Sequence, residues 1–325
     1  GKAGITSDDY VRFLAAPTVK VSSTAGHGVR GKDAVVVTDG TLDISVSADG
    51  KKGICSDGPG YFNGGTVVVN VSGSNTGSSS GNGGPGGFGG WGGWGGSSSS
   101  SDDSSAAKAI KFDGNLVFAG SDVTAIAKNH EAIESKGTLE IKGGRVYAQS
   151  SDDAINAASH LTISGGLVCA YSTGNDGLDA NGNMYITGGV VYAVSSGGAE
   201  VALDANTEGG YKLFLSGGTV FAIGGLERGA QLTQTCYSAS WSKNSWYAMT
   251  VGDTTYGFKT PASGGSGLVV SGASTPELLS GVSISGGESI FKGLGVLAPT
   301  VSGGTSVNLS SYTNSGGGFG PGGRF

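Results

Sequence analysis

Acidic side chains in the middle of this chain recur at fixed distances from an apolar anchor. Glu131, Asp153 and Asp176 stand two positions before Ile133, Ile155 and Leu178; His130, Asp152, Asn175 and Glu200 stand three before Ile133, Ile155, Leu178 and Leu203; Glu134, Asn156, Asp179 and Asp204 stand one after the same anchors. Carboxylates brought close together repel unless a cation or a proton lies between them. Oxygen donors with backbone carbonyls nearby suit Ca²⁺, which takes six to eight oxygens in flexible geometry. The candidate calcium ligands are Glu131, Asp152, Asp153, Asn175, Asp176, Asp179, Glu200 and Asp204. Asp and Asn are also turn formers, so a purely conformational role stands beside the metal reading. Earlier units carry Lys108, Lys52 and His27 at the position of Asp153, which predicts that the acidic wall ends near Glu131, paired with Lys108.

A second line is aromatic. Tyr147, Tyr192 and Phe221, with Cys169 among them and Tyr171 two residues along its own unit, occupy one alternating set of positions. Aromatic faces along a flat sheet are what sugar rings stack on, so Tyr147, Tyr171, Tyr192 and Phe221 are candidate carbohydrate contacts. The competing expectation is that a loop or cap covers them, because large apolar patches are rarely left bare.

These lines need a scaffold with a short, fixed period, and the sequence has one. The anchors Ile133, Ile155, Leu178 and Leu203 are 22, 23 and 25 residues apart, and the frame runs back through Ile110 to Ile54, Val29 and Ile5. Within each unit apolar residues alternate with polar ones, as in Leu139/Ile141 and Val146/Ala148, which is the pattern of strands. Pairs such as Gly143-Gly144 and Gly165-Gly166 separate the strands where a tight corner needs positive φ. Stacked units of this kind share one continuous core. The expected fold is all-β: a right-handed parallel β-helix of about eight coils of 22–25 residues, spanning roughly 35 Å at the stacking distance.

The step from Ile54 to Ile110 is out of register by a Gly-, Ser- and Trp-rich stretch that reads as an inserted loop. The expected organisation is coils over 1–71, an insertion over 72–105, coils with acidic corners over 106–225, and a β-rich cap with a Gly-rich tail over 226–325. Such a cap is expected over the open end, where a bare final coil would be an adhesive edge.

Composition narrows the function. Gly supplies 65 of 325 residues, which excludes a long-helix protein, and 25 acidic against 19 basic residues leave a net charge of −6. Nucleic acid is therefore not an expected partner. No apolar run reaches the roughly 18 residues of a membrane span. Cys55, Cys169 and Cys236 lack metal-ligand spacing and receive no metal role. The opening Gly1-Lys2-Ala3 is what a trimmed mature segment would show.

Asp152-Asp153, Asn175-Asp176-Gly177 and Gly26-His27-Gly28 superficially resemble the motifs of polygalacturonases, but His27 lies four coils from Asp153, roughly 19 Å. Hydrolysis needs its groups within about 10 Å across one bond, so the hydrolase reading fails on spacing. A calcium-assisted lyase needs a base over the metal, and Arg145 and Lys142 are the basic residues near these coils.

Gly28-Val-Arg-Gly-Lys-Asp33, Asp152-Asp-Ala-Ile-Asn156 with Leu161-Thr-Ile-Ser-Gly-Gly166, and Asp176-Gly-Leu-Asp-Ala-Asn-Gly182 resemble the repeating pattern of the carbohydrate-binding-domain-containing β-helix proteins, secreted cellulose- and pectin-binding proteins with a pectate-lyase-like fold. The Gly/Trp-rich stretch 81–96 and the tail 316–325 mirror that family's insertions and tails. The resemblance implies a right-handed parallel β-helix, calcium at the acidic corners Asp152, Asp153, Asn175, Asp176 and Asp179, a secreted or cell-surface setting, and binding of acidic or β-linked plant polysaccharide without cleavage. The alternatives are a surface adhesin or structural stalk and, after it, a calcium-dependent polysaccharide lyase.

Overall fold

The computed structural model describes residues 3–76 and 105–313. The anchors define its first face. Eight three-residue strands, Ile5–Ser7, Val29–Gly31, Ile54–Ser56, Ile110–Phe112, Ile133–Ser135, Ile155–Ala157, Leu178–Ala180 and Leu203–Ala205, pair in chain order into one sheet. Neighbouring strands are parallel with anchor on anchor, Ile5 against Val29 and Ile133 against Ile155. Eight rungs enclose seven turns of a β-solenoid.

Each turn continues into a second face (for example Leu139–Ile141 and Leu161–Ile163) and a third (Arg145–Ser150 and Leu167–Ser172). In the last two turns these faces merge into eleven-residue strands, Met184–Val194 and Leu213–Ile223. The Gly-Gly corners take the backbone they were expected to need: Gly144 has φ 77° and Gly166 φ 83°. A Cβ on Gly166 would stand 2.9 Å from the backbone of Gly143 and Gly144 one turn earlier, so stacking as well as φ demands glycine there.

The interior is filled by identical positions of successive turns. Ile110, Ile133, Ile155, Leu178 and Leu203 form one fully buried ladder, and Leu116, Leu139, Leu161, Met184 and Leu213 another. A single turn cannot enclose these side chains. Burial worth about 1.5–3 kcal/mol for each of them exists only between neighbouring turns.

Ile54 pairs directly with Ile110, so the long step between them is one turn carrying an insertion. Its ends are drawn together where the Thr76 N–H donates to the Ser105 carbonyl at 2.9 Å. The bulk of the expected insertion, 77–104, and the tail 314–325 lie outside the described residues.

The C-terminal region is β-rich, with a placement broader than expected. Leu268–Ser271 adds antiparallel to the Val220–Ile223 end of Leu213–Ile223, and Cys236–Ala239 adds antiparallel to Leu268–Ser271, which ends the parallel stacking on the third face, while Gln231–Leu232 still pairs parallel on the second. A six-stranded antiparallel sheet, built around Trp246–Val251 and Thr254–Lys259, then folds back along the outside of the third face. Between the two surfaces lies a second core containing Tyr192, Phe221, Tyr247, Phe258 and Phe291. The cap therefore covers a flank of the solenoid as well as its end. Among the described residues no helix is long and apolar enough to cross a membrane, and the cysteines Cys55, Cys169 and Cys236 are free and buried.

Candidate functional site

The middle residue of each first-face strand points away from the core, and stacking lines these residues up. In register they read Arg30, Cys55, Lys111, Glu134, Asn156, Asp179 and Asp204, so the line changes from basic to acidic along the solenoid. A parallel bridge between Leu203 and Leu226 adds Glu227 behind Asp204. Asp204 and Glu227 share a hydrogen bond, and Thr207 Oγ1 donates to Glu227 Oε1 at 2.9 Å. Glu227 was not among the expected ligands because the repeat looked exhausted after Gly225. Its signal was present: Leu226-Glu227 repeats Leu203-Asp204 and Leu178-Asp179.

The line two positions before the anchor stitches one turn to the next. Asp153 Oδ1 accepts the Asp176 N–H at 3.1 Å, and Asp176 Oδ1 accepts the Val201 N–H at 2.6 Å. At the basic end His27 Nδ1 accepts the Lys52 N–H at 2.9 Å in the same way. One oxygen of each aspartate thus does the conformational work weighed in the sequence. Around the second oxygens, Asn156 Nδ2 donates to Asp153 Oδ2 at 3.3 Å and also to Asp179, and Asn175 Nδ2 donates to Asp152 Oδ1 at 3.1 Å.

Burial sets the electrostatics of this cluster. Asp153 and Asp176 are 6 % and 7 % exposed. Desolvation, reinforced by the charges of Asp179, Asp152 and Asp176, pushes Asp153 up to about 8. Asp176 rises to about 7, again chiefly by burial, with Glu200 and Asp179 adding to it and the Val201 amide opposing. Asp179 rises to about 6 by burial, against hydrogen bonds from Asp204 and Asn156. Asp204 is pushed up by burial and by its hydrogen bond to Glu227. Burial and mutual repulsion thus favour a proton or a cation within this group near neutral pH. The donors are all oxygen, which suits Ca²⁺.

The other end of the wall is already neutralised. Lys108, 2 % exposed, contacts Glu134 and lies 3.4 Å from Glu131, so the expected pairing with Glu131 is present. Lys136 adds a contact of 2.5 Å to Glu134. His130 Nδ1 contacts Glu131 and stands 3.0 Å from Asp152 Oδ2; ligand atoms of His130, Glu131 and Asp152 lie within 4.8 Å of one another. The expected ligands therefore fall into two groups. Glu131 and Asp152 gather around His130 and Lys108, whereas Asp153, Asp176, Asp179 and Asp204 form the oxygen-rich cluster, with Glu200 beside Asp176 and Asn175 bonded to Asp152.

The aromatic line is covered. Tyr192 is fully buried, Phe221 is 1 % exposed and Tyr147 9 %, and Tyr192 Oη donates to the Lys259 carbonyl of the cap at 2.8 Å. Tyr171 is half-buried against the same cluster. Tyr192 and Phe221 offer no ring face to a sugar, and the open platform gives way to packing under the cap. An aromatic group that the sequence reading passed over lies on the second face. Tyr185 and Phe214 stack at 5.1 Å and 9°, His160 meets Tyr185 and Tyr211 edge-on, and Tyr211 is 40 % exposed. Its signal was the outward position between Met184 and Ile186 and between Leu213 and Leu215.

Comparison with known proteins returns one family. Residues 1–154 match the model of a family described as carbohydrate-binding domain-containing protein. No curated protein and no solved structure matches the chain. The matched segment contains the turns from Ile5 to the beginning of the acidic corner at Asp152 and Asp153.

Proposed function

We propose that this protein binds polysaccharide without cleaving it, in a secreted or cell-surface setting, with Ca²⁺ stabilising the acidic corner and an acidic or β-linked plant polymer of the pectin or cellulose type as ligand. The observation that carries the binding reading is the carbohydrate-binding family match over residues 1–154. The calcium reading is supported by Asp153, Asp176, Asp179 and Asp204, whose buried carboxylates lie close enough to raise one another's affinity for a positive charge. In that role Asp153 and Asp176 would each hold the next turn with one oxygen and offer the other to the metal.

Binding without cleavage is supported by the placement of the basic residues. Arg145 opens a third-face strand and pairs with Glu288 of the cap, and Lys142 pairs with Glu140 at 2.6 Å. Both sit at the corner between the second and third faces, whereas a lyase base would have to stand at the oxygen cluster beside the first face.

Thermal melts in EGTA, in Ca²⁺, and in Ca²⁺ with polygalacturonate test the reading, together with pull-down on insoluble cellulose. A ligand of the native state raises the melting temperature by mass action. A calcium shift with polymer retention is the expected result. No calcium shift would reduce Asp153 and Asp176 to corner formers, and no retention on any polysaccharide would overturn the binding reading.

A further inference from the structure

The cap does not close flush on the third face. At its upstream margin it leaves a cleft of about 390 Å³, inside the range of about 300–1,000 Å³ typical of small-molecule sites. The solenoid wall presents Asp122 and Thr124 from one turn and Arg145 and Tyr147 from the next; the cap wall presents Ser289 and the segment from Ile290 to Gly293.

The chemistry of this lining is mixed in a specific way. Arg145 is held by Glu288, which neutralises both. Asp122 and Lys292 are exposed and enter no ion pair among the described residues. The cleft thus offers one open carboxylate, one open ammonium, the Thr124 and Ser289 hydroxyls, and the rings of Tyr147 and Phe291, and the charges of its lining balance once Glu288, just outside it, is set against Arg145. A polyuronate would need an excess of cations. A neutral pyranose needs what is present: a carboxylate to accept from neighbouring hydroxyls, a donor opposite it, and carbon surface beside its C–H face.

The cap wall is also held in an uncommon conformation. Phe291 and Lys292 are consecutive non-glycine residues at φ 55° each. For side-chain-bearing residues this region costs of order 1–3 kcal/mol per position and is found where a surface is shaped for use. Here it buries the Phe291 ring against Tyr192, at 6.2 Å between centroids, and leaves Lys292 and Gly293 over the opening. The solenoid wall from Asp122 to Tyr147 falls inside the family-matched segment 1–154, whereas Leu167 of the next turn and the cap wall fall outside it.

We infer that the cleft between Asp122, Tyr147 and the Phe291–Lys292 turn is a binding site for neutral hexopyranose units of a glycan chain. The inference rests on the polysaccharide-binding reading and gives it a place and a ligand class. Titration calorimetry of the full chain with cellotetraose and with trigalacturonate, alongside the cellulose pull-down, tests it. Asp122→Asn removes the charge at an exposed position, and Ser289→Trp fills the mouth from an exposed cap residue. The expected results are cellotetraose affinity reduced about tenfold by Asp122→Asn and abolished by Ser289→Trp, with melting temperatures near that of the parent. Parental cellotetraose affinity in both variants overturns the cleft and leaves the general reading standing. Binding of trigalacturonate in preference to cellotetraose also overturns it. Failure of the parent protein to retain any polysaccharide overturns the reading on which it rests.

Discussion

Lys108 stands where the line two positions before the anchors changes sign, followed by Glu131 in the next turn, and replacing it measures how that change is held. Its ammonium is buried between two carboxylates that are themselves buried, Glu134 at 2 % and Glu131 at 8 % exposure. Lys108→Met keeps the apolar stem and removes the charge, leaving Glu134 with Lys136 and Glu131 with His130. Removing one partner of a buried pair costs about 3–5 kcal/mol, because the remaining charge stays desolvated. At roughly 2 °C per kcal/mol for a chain of this size, the melting temperature should fall by about 6–10 °C. The double variant Lys108→Met/Glu134→Gln removes the stranded charge and should recover at least half of that loss. Ca²⁺ should stabilise the single variant more than the parent, since a cation can take the place that Lys108 vacates. The assay is differential scanning calorimetry at pH 7 in EGTA and in Ca²⁺. A loss below about 2 °C in the single variant, or a double variant as unstable as the sum of its parts, would refute the view of Lys108 as the neutralising end of the wall.

Raised carboxyl values fix the sign of the pH dependence. Asp153, Asp176 and Asp179 bind protons more tightly when folded than the usual carboxylate range allows, so in chelator stability is full below about pH 4 and declines as pH rises through about 6 to 8. Melting curves from pH 5 to 9 should fall in EGTA and flatten in Ca²⁺; a flat profile in chelator would contradict the burial argument. Tyr192→Ala should cost about 3–5 kcal/mol by opening a cavity under the cap, whereas Tyr192→Phe should cost about 1 kcal/mol by losing the bond to the Lys259 carbonyl. Tyr192→Phe keeps the ring on which Phe291 packs and should not alter glycan affinity in the folded protein; a selective loss of affinity in that variant would restore the sugar-platform reading. Gly166→Ala should destabilise by about 1–3 kcal/mol through its positive φ alone, checked by urea unfolding.

The sequence by itself determined the solenoid. Anchors every 22 to 25 residues, alternating strands and Gly-Gly corners have one shared solution, because a turn too small to enclose its own apolar side chains must stack on another. The acidic lines were legible for the same reason: parallel in-register pairing converts a sequence period directly into neighbours in space, so Asn156, Asp179 and Asp204 follow one another as the repeat says. Lys108 beside Glu131 was readable on that rule too. Glu227 was missed only because Leu226 keeps the period after the surrounding pattern has faded.

What tertiary structure alone decided is what lies outside the stack. The cap has no repeat, and the alternation that turns Tyr192 and Phe221 outward is the same whether water, a sugar or another sheet meets them. Phe258, from a strand, and Phe291, from a short helical turn, meet them from more than thirty residues away with no periodic relation to the turns. The cleft beside Tyr147 arises from where that second layer stops. Its position follows from the packing of two surfaces that share no period, and pairing along the solenoid carries no information about it.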